Sequence, residues 1–266
     1  MNTVMPSAFI SHGSPQRMLE QSPARSFVEA FAKRLPRPRA ILVISAHWQS
    51  EQLELTCTGE HSLQYDFWGF PPELNQVQYP ARQSAQLSEI LADNFQTQNI
   101  AVNWNRRALD HGAWSILKLA YADADIPVAA ISLPTPKDAS TATGSDMQQY
   151  YELGRVLKPL RKQQILLLGS GSATHNLAQL DWSGREQPWA KEFSQWLQQR
   201  VKARDDKQLC QLYHSHPLAQ RAHPSNEHFL PLLVALGAAA GERAELIHDS
   251  MELGCLNNSS WLFGTC

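Results

Sequence analysis

Ile41-Leu42-Val43-Ile44-Ser45, running on into Ala46-His47-Trp48, is the stretch that decides the fold. An unbroken apolar run rich in β-branched residues suits a strand buried on both faces, as in a parallel sheet. Upstream, Ser7-Ala8-Phe9-Ile10 reads as a second short strand. It ends in Ser11-His12-Gly13-Ser14-Pro15, a loop by its glycine and proline. Between the two, Ser22-Pro23 has the form of a helix N-cap followed by the first helical residue. Phe27, Phe31 and Leu35 then recur at helical spacing, and Pro36 and Pro38 end the element. Strand, helix, strand is a βαβ unit. Parallel neighbours lie roughly 4.8 Å apart, so loops at their carboxyl ends can bring His12 and His47 onto one ion.

The same buried-strand character returns at Ile165-Leu166-Leu167-Leu168-Gly169, with a further strand expected over 128–132 and a short one near 100–102. A terminal strand pair near 246–247 and 260–263 closes the sheet. Helices are expected over 82–95, 111–119 and 146–160, around the stripe Trp189, Phe193, Trp196, Leu197, and from about 225. No internal repeat, low-complexity tract or linker divides the chain. The prediction is one α/β domain over residues 1–266, with a mostly parallel central sheet flanked by helices and the active site at the carboxyl ends of its strands.

Composition narrows the class. The chain has 266 residues, 43% hydrophobic and 18% charged, enough for one sizeable core and incompatible with broad disorder. A net charge of −2 gives no electrostatic case for nucleic acid or an anionic membrane. The stretch MNTVMPSAFI lacks the basic-then-apolar pattern of a secretory signal, and the run from Phe229 to Ala240 is too short to span a bilayer. Cys57, Cys210, Cys255 and Cys266 form no C-x-x-C pair. Sparse, unpatterned cysteines fit reduced thiols in a cytoplasmic protein.

Four histidines stand just beyond buried strands or at the start of a helix packed on them: His12, His47, His175 and His228. Imidazoles gathered from separate strand ends are how transition-metal sites are assembled. Any one such histidine is more often a satisfied polar residue than a ligand; the set points to a metal. His61, His214 and His248 lack this context and read as surface or packing residues. His216 and His223 both precede proline, where structural and substrate-contacting roles are equally open.

Other motifs compete less well. Leu168-Gly-Ser-Gly-Ser-Ala173 lacks the Lys-Ser/Thr ending of a P-loop, fails G-x-G-x-x-G at Thr174, and is no G-x-S-x-G elbow. Its glycines, like Gly13, are read as letting backbone approach a ligand or metal closely. Tyr65-Asp-Phe-Trp-Gly-Phe70 is read either as core filling or as a loop presenting Phe67, Trp68 and Phe70 as walls of an aromatic pocket.

Taken together, His-Gly-Ser-Pro (12–15), Ile-Ser-Ala-His-Trp (44–48), Tyr-Asp-Phe-Trp-Gly-Phe-Pro (65–71), Tyr-Pro-Ala (79–81), Asp-His-Gly-Ala-Trp (110–114), His-Asn-Leu (175–177) and Glu-His-Phe-Leu-Pro-Leu (227–232) are specific. The chain resembles the class III extradiol ring-cleavage dioxygenases, in the branch of the DOPA 4,5-dioxygenases. The resemblance implies His12, His47 and His228 as metal ligands. It places His175 beside the metal, as a fourth ligand or as the acid/base, and His111 facing the substrate. Where the protocatechuate branch has a Glu ligand, the aligned position here is His228, with Glu227 beside it. The two point roughly 100° apart on a helix, so only one ligates easily, and His228 is preferred.

The implied reaction is extradiol opening of a catechol by O2 to a muconic semialdehyde. It requires a redox-capable ion, Fe(II), because Zn(II) is redox-inert; Zn(II) in purified protein would be a replacement. His175 is expected to take a catechol proton and later return it, with a pKa near neutrality. Arg17, Arg106 and Arg221 are candidate partners for a substrate carboxylate. The partners are then a small catechol and O2, with oligomeric state open. Two alternatives stay on the table: a zinc hydrolase, and a non-catalytic protein binding a metal or phenol on the same fold.

Overall fold

The structure, a computed structural model, describes residues 4–135 and 147–264. In chain order it runs β1 (Ser7–Ser11), α1 (Pro23–Phe31), β2 (Ala40–Ser50), β3 (Glu54–Thr56), β4 (Gly59–Glu60), β5 (Arg82–Gln83), α2 (Ala85–Thr97), β6 (Asn103–Asn105), α3 (His111–Ala120) and β7 (Val128–Pro134). Then follow α4 (Gln148–Leu157), β8 (Ile165–Gly171), α5 (Pro188–Ala203), α6 (Asp206–Cys210), α7 (Leu212–Ser215), α8 (Ala219–Ala222) and α9 (Leu230–Ala238). The chain closes with β9 (Ala244–His248), β10 (Met251–Glu252), β11 (Leu256–Asn257) and β12 (Ser260–Phe263).

Eight strands form one sheet in the order β6-β3-β7-β2-β8-β1-β12-β9. Its centre, β7-β2-β8-β1, is parallel throughout; β3 joins β7 antiparallel at one side, and β12 and β9 add antiparallel strands at the other. Alternate residues of the central strands feed two cores. Leu42, Ile44, Ile165 and Leu167 pack with α2, α4, α5 and α9, whereas Ile41, Val43, Leu166 and Leu168 pack with α1 and α3. Helices on both faces explain the unbroken apolar runs. α9 is buried on every side, which accounts for its lack of a polar stripe. No helix among the described residues is long and apolar enough to cross a membrane.

Several boundaries differ from expectation, each for a local reason. β2 extends through His47 to Ser50, so that histidine lies within the strand rather than beyond it. Arg82–Gln83 pairs with Gly59–Glu60, and Ser84 caps the next helix by accepting from the Leu87 amide at 3.1 Å. The strand expected near 100–102 forms at 103–105, where it pairs with β3, while Ile100 and Val102 pack on the core. The helix expected from about 225 begins at Leu230, with Pro231 in its first turn. Of the helix expected over 146–160, residue 146 lies outside the described residues; α4 begins at Gln148.

Candidate metal centre and active site

β1 and β2 are not neighbours: β8 runs between them. His12 and His47 nonetheless meet above it, ring centroids 5.0 Å apart, because β8 ends in Gly169-Ser170-Gly171 and offers no bulky side chain there. The β2–β7 register slips between Ile44 and Gln49, pairing them with Ile131 and Leu133. Four residues of β2 therefore bow out against one of β7, and His47 rides on that bulge. Ser45 Oγ donates to Asp110 Oδ1 at 2.6 Å, and Asp110 in turn caps α3, which begins at His111.

Each of three imidazoles has one nitrogen committed. His12 Nδ1 lies 2.9 Å from Ser170 Oγ, whose own proton goes to the Gly112 carbonyl at 2.6 Å, so His12 Nδ1 is the donor. His47 Nδ1 faces Asp66 Oδ2 at 3.3 Å, and His228 Nδ1 faces Glu227 Oε1 at 2.8 Å. The tautomers follow, leaving the Nε2 lone pairs free. His12 Nε2 and His47 Nε2 face one another at 3.3 Å, two acceptors with no proton between them. His228 Nε2 is buried without a hydrogen-bond partner. His12, His47 and His228 each offer a ligand atom within 4.8 Å of the others. Facing lone pairs and an orphaned buried nitrogen are what a divalent cation would satisfy, so the residues fit a metal.

Electrostatics favour the same state. Burial pushes the His12 pKa well below its ordinary value, reinforced by the neighbouring His47 and His228. Burial also lowers His47, with His111 adding to the effect, and takes His228 down to about 3 against the upward pull of Glu227. Neutral imidazoles are the ligating form. Glu227 feels burial as an upward push, but its hydrogen bond to His228 outweighs this and holds it at about 2.

His175 leaves β8 and is fixed by its amide, which donates to the Ala222 carbonyl at 2.8 Å. Its ring stacks on that of His228, centroids 3.4 Å apart and 10° from parallel. It groups with Glu227 and His228 and not with His12 and His47. The expected near-neutral pKa needs correction: burial lowers it to about 4, although Glu227 pulls the other way. His111 lies over His47, centroids 4.2 Å apart.

Asp66 escaped the sequence reading, which attended to the aromatic residues around it. Its Oδ1 accepts from both the amide and Nδ1 of His111, each at 3.0 Å, while Oδ2 faces His47. Burial alone would raise its pKa; the His111 hydrogen bonds overcome this and hold it at about 2. The available signal was an acid inside an aromatic loop, where solvation alone does not account for it.

Other expectations are corrected. Gly171 serves packing rather than ligand approach: a Cβ there would sit 2.2 Å from the His228 carbonyl, which Ser172 N binds at 2.9 Å. His223 is fully buried with Nε2 on the Ala173 carbonyl at 3.0 Å, and His216 packs on Trp196; neither lines the cavity over the histidines. Arg17 is buried on the Ser11 carbonyl and Asn258, Arg106 is exposed, and Arg221 covers Trp189. None of these arginines reaches the cavity. Cys57 and Cys255 carry free thiols, Cys210 is buried beside α7, and Cys266 lies outside the described residues.

The cavity has a volume of about 410 Å³. His12, His47, His111, His175, His228 and Asp66 form its polar side, and Phe67, Trp68 and Phe70 stand among its walls.

Comparison with known proteins shows the family. Residues 6–264 match the family described as the catalytic LigB subunit of aromatic ring-opening dioxygenase. The chain is 37% identical to a 4,5-DOPA dioxygenase extradiol of Beta vulgaris over 96% of this chain and 95% of that one. It is 32% identical to the protein of that name from Escherichia coli K12, over 99% and 96%. A crystal structure of an uncharacterized Escherichia coli K12 protein superposes with a TM-score of 0.80 at 31% identity, covering 98% of this chain and 100% of that one. The chain belongs to the LigB family and is an extradiol aromatic ring-opening dioxygenase.

Proposed function

We propose that the substrate is a catechol, opened by O2 to a muconic semialdehyde, with Nε2 of His12, His47 and His228 holding Fe(II). The observation that carries this reading is the convergence of three imidazoles whose Nδ1 atoms are already committed and whose Nε2 atoms are not. Fe(II) there would supply the redox-capable centre that chemistry with O2 needs; Zn(II) would fill the same ligands without it.

This chain's own residues do the rest. His175, unprotonated at neutral pH, accepts a catechol hydroxyl proton on its ring and holds it for return later in the reaction. The stack on His228 fixes the plane of the ring for that transfer. His111, with Nδ1 tied to Asp66, keeps its other nitrogen for the substrate oxygen. Phe67, edge-on to His111 at 5.8 Å, keeps water from that side of the ring. The thiols of Cys57 and Cys255, outside any disulfide, support a reducing, cytoplasmic setting.

Anaerobic loading with Fe(II), then a catechol, then O2 tests the proposal. A yellow semialdehyde with one O2 consumed per ring is expected. Ester or amide hydrolysis by the Zn(II) form without O2 uptake would replace this reading with a hydrolase, and tight phenol binding without turnover would leave a binding protein.

A further inference from the structure

Resting on the catechol reading, we infer that the outer half of the cavity is a subsite for an uncharged, apolar substituent on the catechol ring, clasped between Trp68 and Trp182. The two indoles are the most exposed large hydrophobic side chains among the described residues, at 89% and 80%, and both line this cavity. Leu177, 59% exposed, joins them. Exposed apolar groups scattered singly need no explanation, but three gathered on the rim of one cavity do.

Trp182 is held on a built turn. Asp181 N donates to the Leu253 carbonyl and Asp181 Oδ1 accepts from Ser183 N, both at 2.9 Å, and Gln187 N donates to the Gly254 carbonyl at 2.8 Å. Leu253, itself a lining residue, has φ +48, a left-handed conformation that a branched side chain adopts only at a cost. That strain is accepted where it presents another apolar group to the cavity. Phe67, itself edge-on to His111 at 5.8 Å, packs edge-on against Phe70 at 5.6 Å, so the apolar lining continues beyond the histidine.

Charge agrees. Among the described residues Asp66 is the cavity's one acidic side chain and no Lys or Arg lines it. Asp66 is already engaged by His111 and His47. A substituent bearing a carboxylate would lose water with no Lys or Arg cation of the lining to pair with, a cost an alkyl or aryl group does not carry. The volume of about 410 Å³ is far more than a bare dihydroxybenzene fills.

The test uses the full chain loaded with Fe(II) and two catechols of matched length, 4-butylcatechol and 3-(3,4-dihydroxyphenyl)propionate, with L-DOPA and unsubstituted catechol alongside. Binding is measured anaerobically by calorimetry and turnover by O2 uptake. Butylcatechol is expected to bind at least tenfold more tightly than either carboxylate-bearing catechol. Trp68→Ala and Trp182→Ala should each lower the butylcatechol-to-catechol ratio of kcat/KM at least fivefold, chiefly through KM. Equal or tighter binding of the propionate or L-DOPA overturns the inference, as does an unchanged ratio in both variants. Tryptophan-dependent binding of butylcatechol without O2 uptake upholds the subsite and overturns the ring-opening reaction; turnover of all four without preference does the reverse.

Discussion

Glu227 Oε1 lies 2.8 Å from Nδ1 of His228, its immediate neighbour in sequence. Of two adjacent residues with the chemistry to face a metal, the carboxylate engages Nδ1 of the imidazole and leaves its Nε2 buried without a hydrogen-bond partner. Glu227→Gln keeps shape but weakens the acceptor. Fe(II) affinity is expected to fall about 10–100-fold, the usual scale for groups that orient a ligand. Metal titration followed by anaerobic calorimetry would show it, and unchanged affinity would remove Glu227 from the site.

Asp66 holds two rings from one carboxylate. In Asp66→Asn, one oxygen becomes a donor that cannot accept from either imidazole. We expect kcat to drop by about 100-fold, in the range of a lost charge-assisted hydrogen-bond network, with folding retained. Near-normal kcat at normal metal content would contradict this.

His12→Ala and His47→Ala should each abolish metal retention after gel filtration, because either removes an Nε2 from the facing pair. His175→Gln should keep the metal and lose turnover, since its ring groups with Glu227 and His228 rather than with the other two. Metal loss in His175→Gln would make that residue a ligand.

A methyl group on Gly112 would meet Ser45 Oγ at 2.9 Å and His12 Nδ1 and His47 Cδ2 at 3.1 Å. Gly112→Ala therefore pushes two of the three rings apart. The expected outcome is at least tenfold weaker Fe(II) binding with a melting temperature close to wild type, because helix α3 itself gains from alanine. Undisturbed metal binding would show that the rings can yield.

His223 is fully buried and neutral, its pKa lowered by burial to about 4 despite the Ala173 carbonyl. Its folded pKa lies below its unfolded value, so between about pH 6.5 and 4 the unfolded chain holds the extra proton. Stability must fall as pH drops through that window, by about 3 kcal/mol at most from this residue. Melting temperature against pH should be less steep in His223→Gln than in wild type; an identical slope would refute the assignment.

The strands were legible because burial on both faces leaves a continuous apolar run, as at Ile41–Ile44 and Ile165–Leu168, and such runs have few other uses. His12 and His175 were legible as candidates because they follow parallel strands whose carboxyl ends face one side; His47 lies within β2 and His228 just before α9. Asp66 was not legible, since its one local signal, an acid among aromatic residues, does not reveal a partner 45 positions away in sequence. The expected near-neutral pKa of His175 failed for a related reason: burial is set by what packs around the ring.

Sequence by itself determined the α/β class and the family, because hydrophobic period and motif order are written along the chain. Tertiary structure alone decided the insertion of β8 between β1 and β2, the hydrogen-bond partners of Glu227 and Asp66, and the tautomers of His12, His47 and His228. Those depend on partners distant in sequence or on which way a side chain turns, and only the folded chain sets such distances.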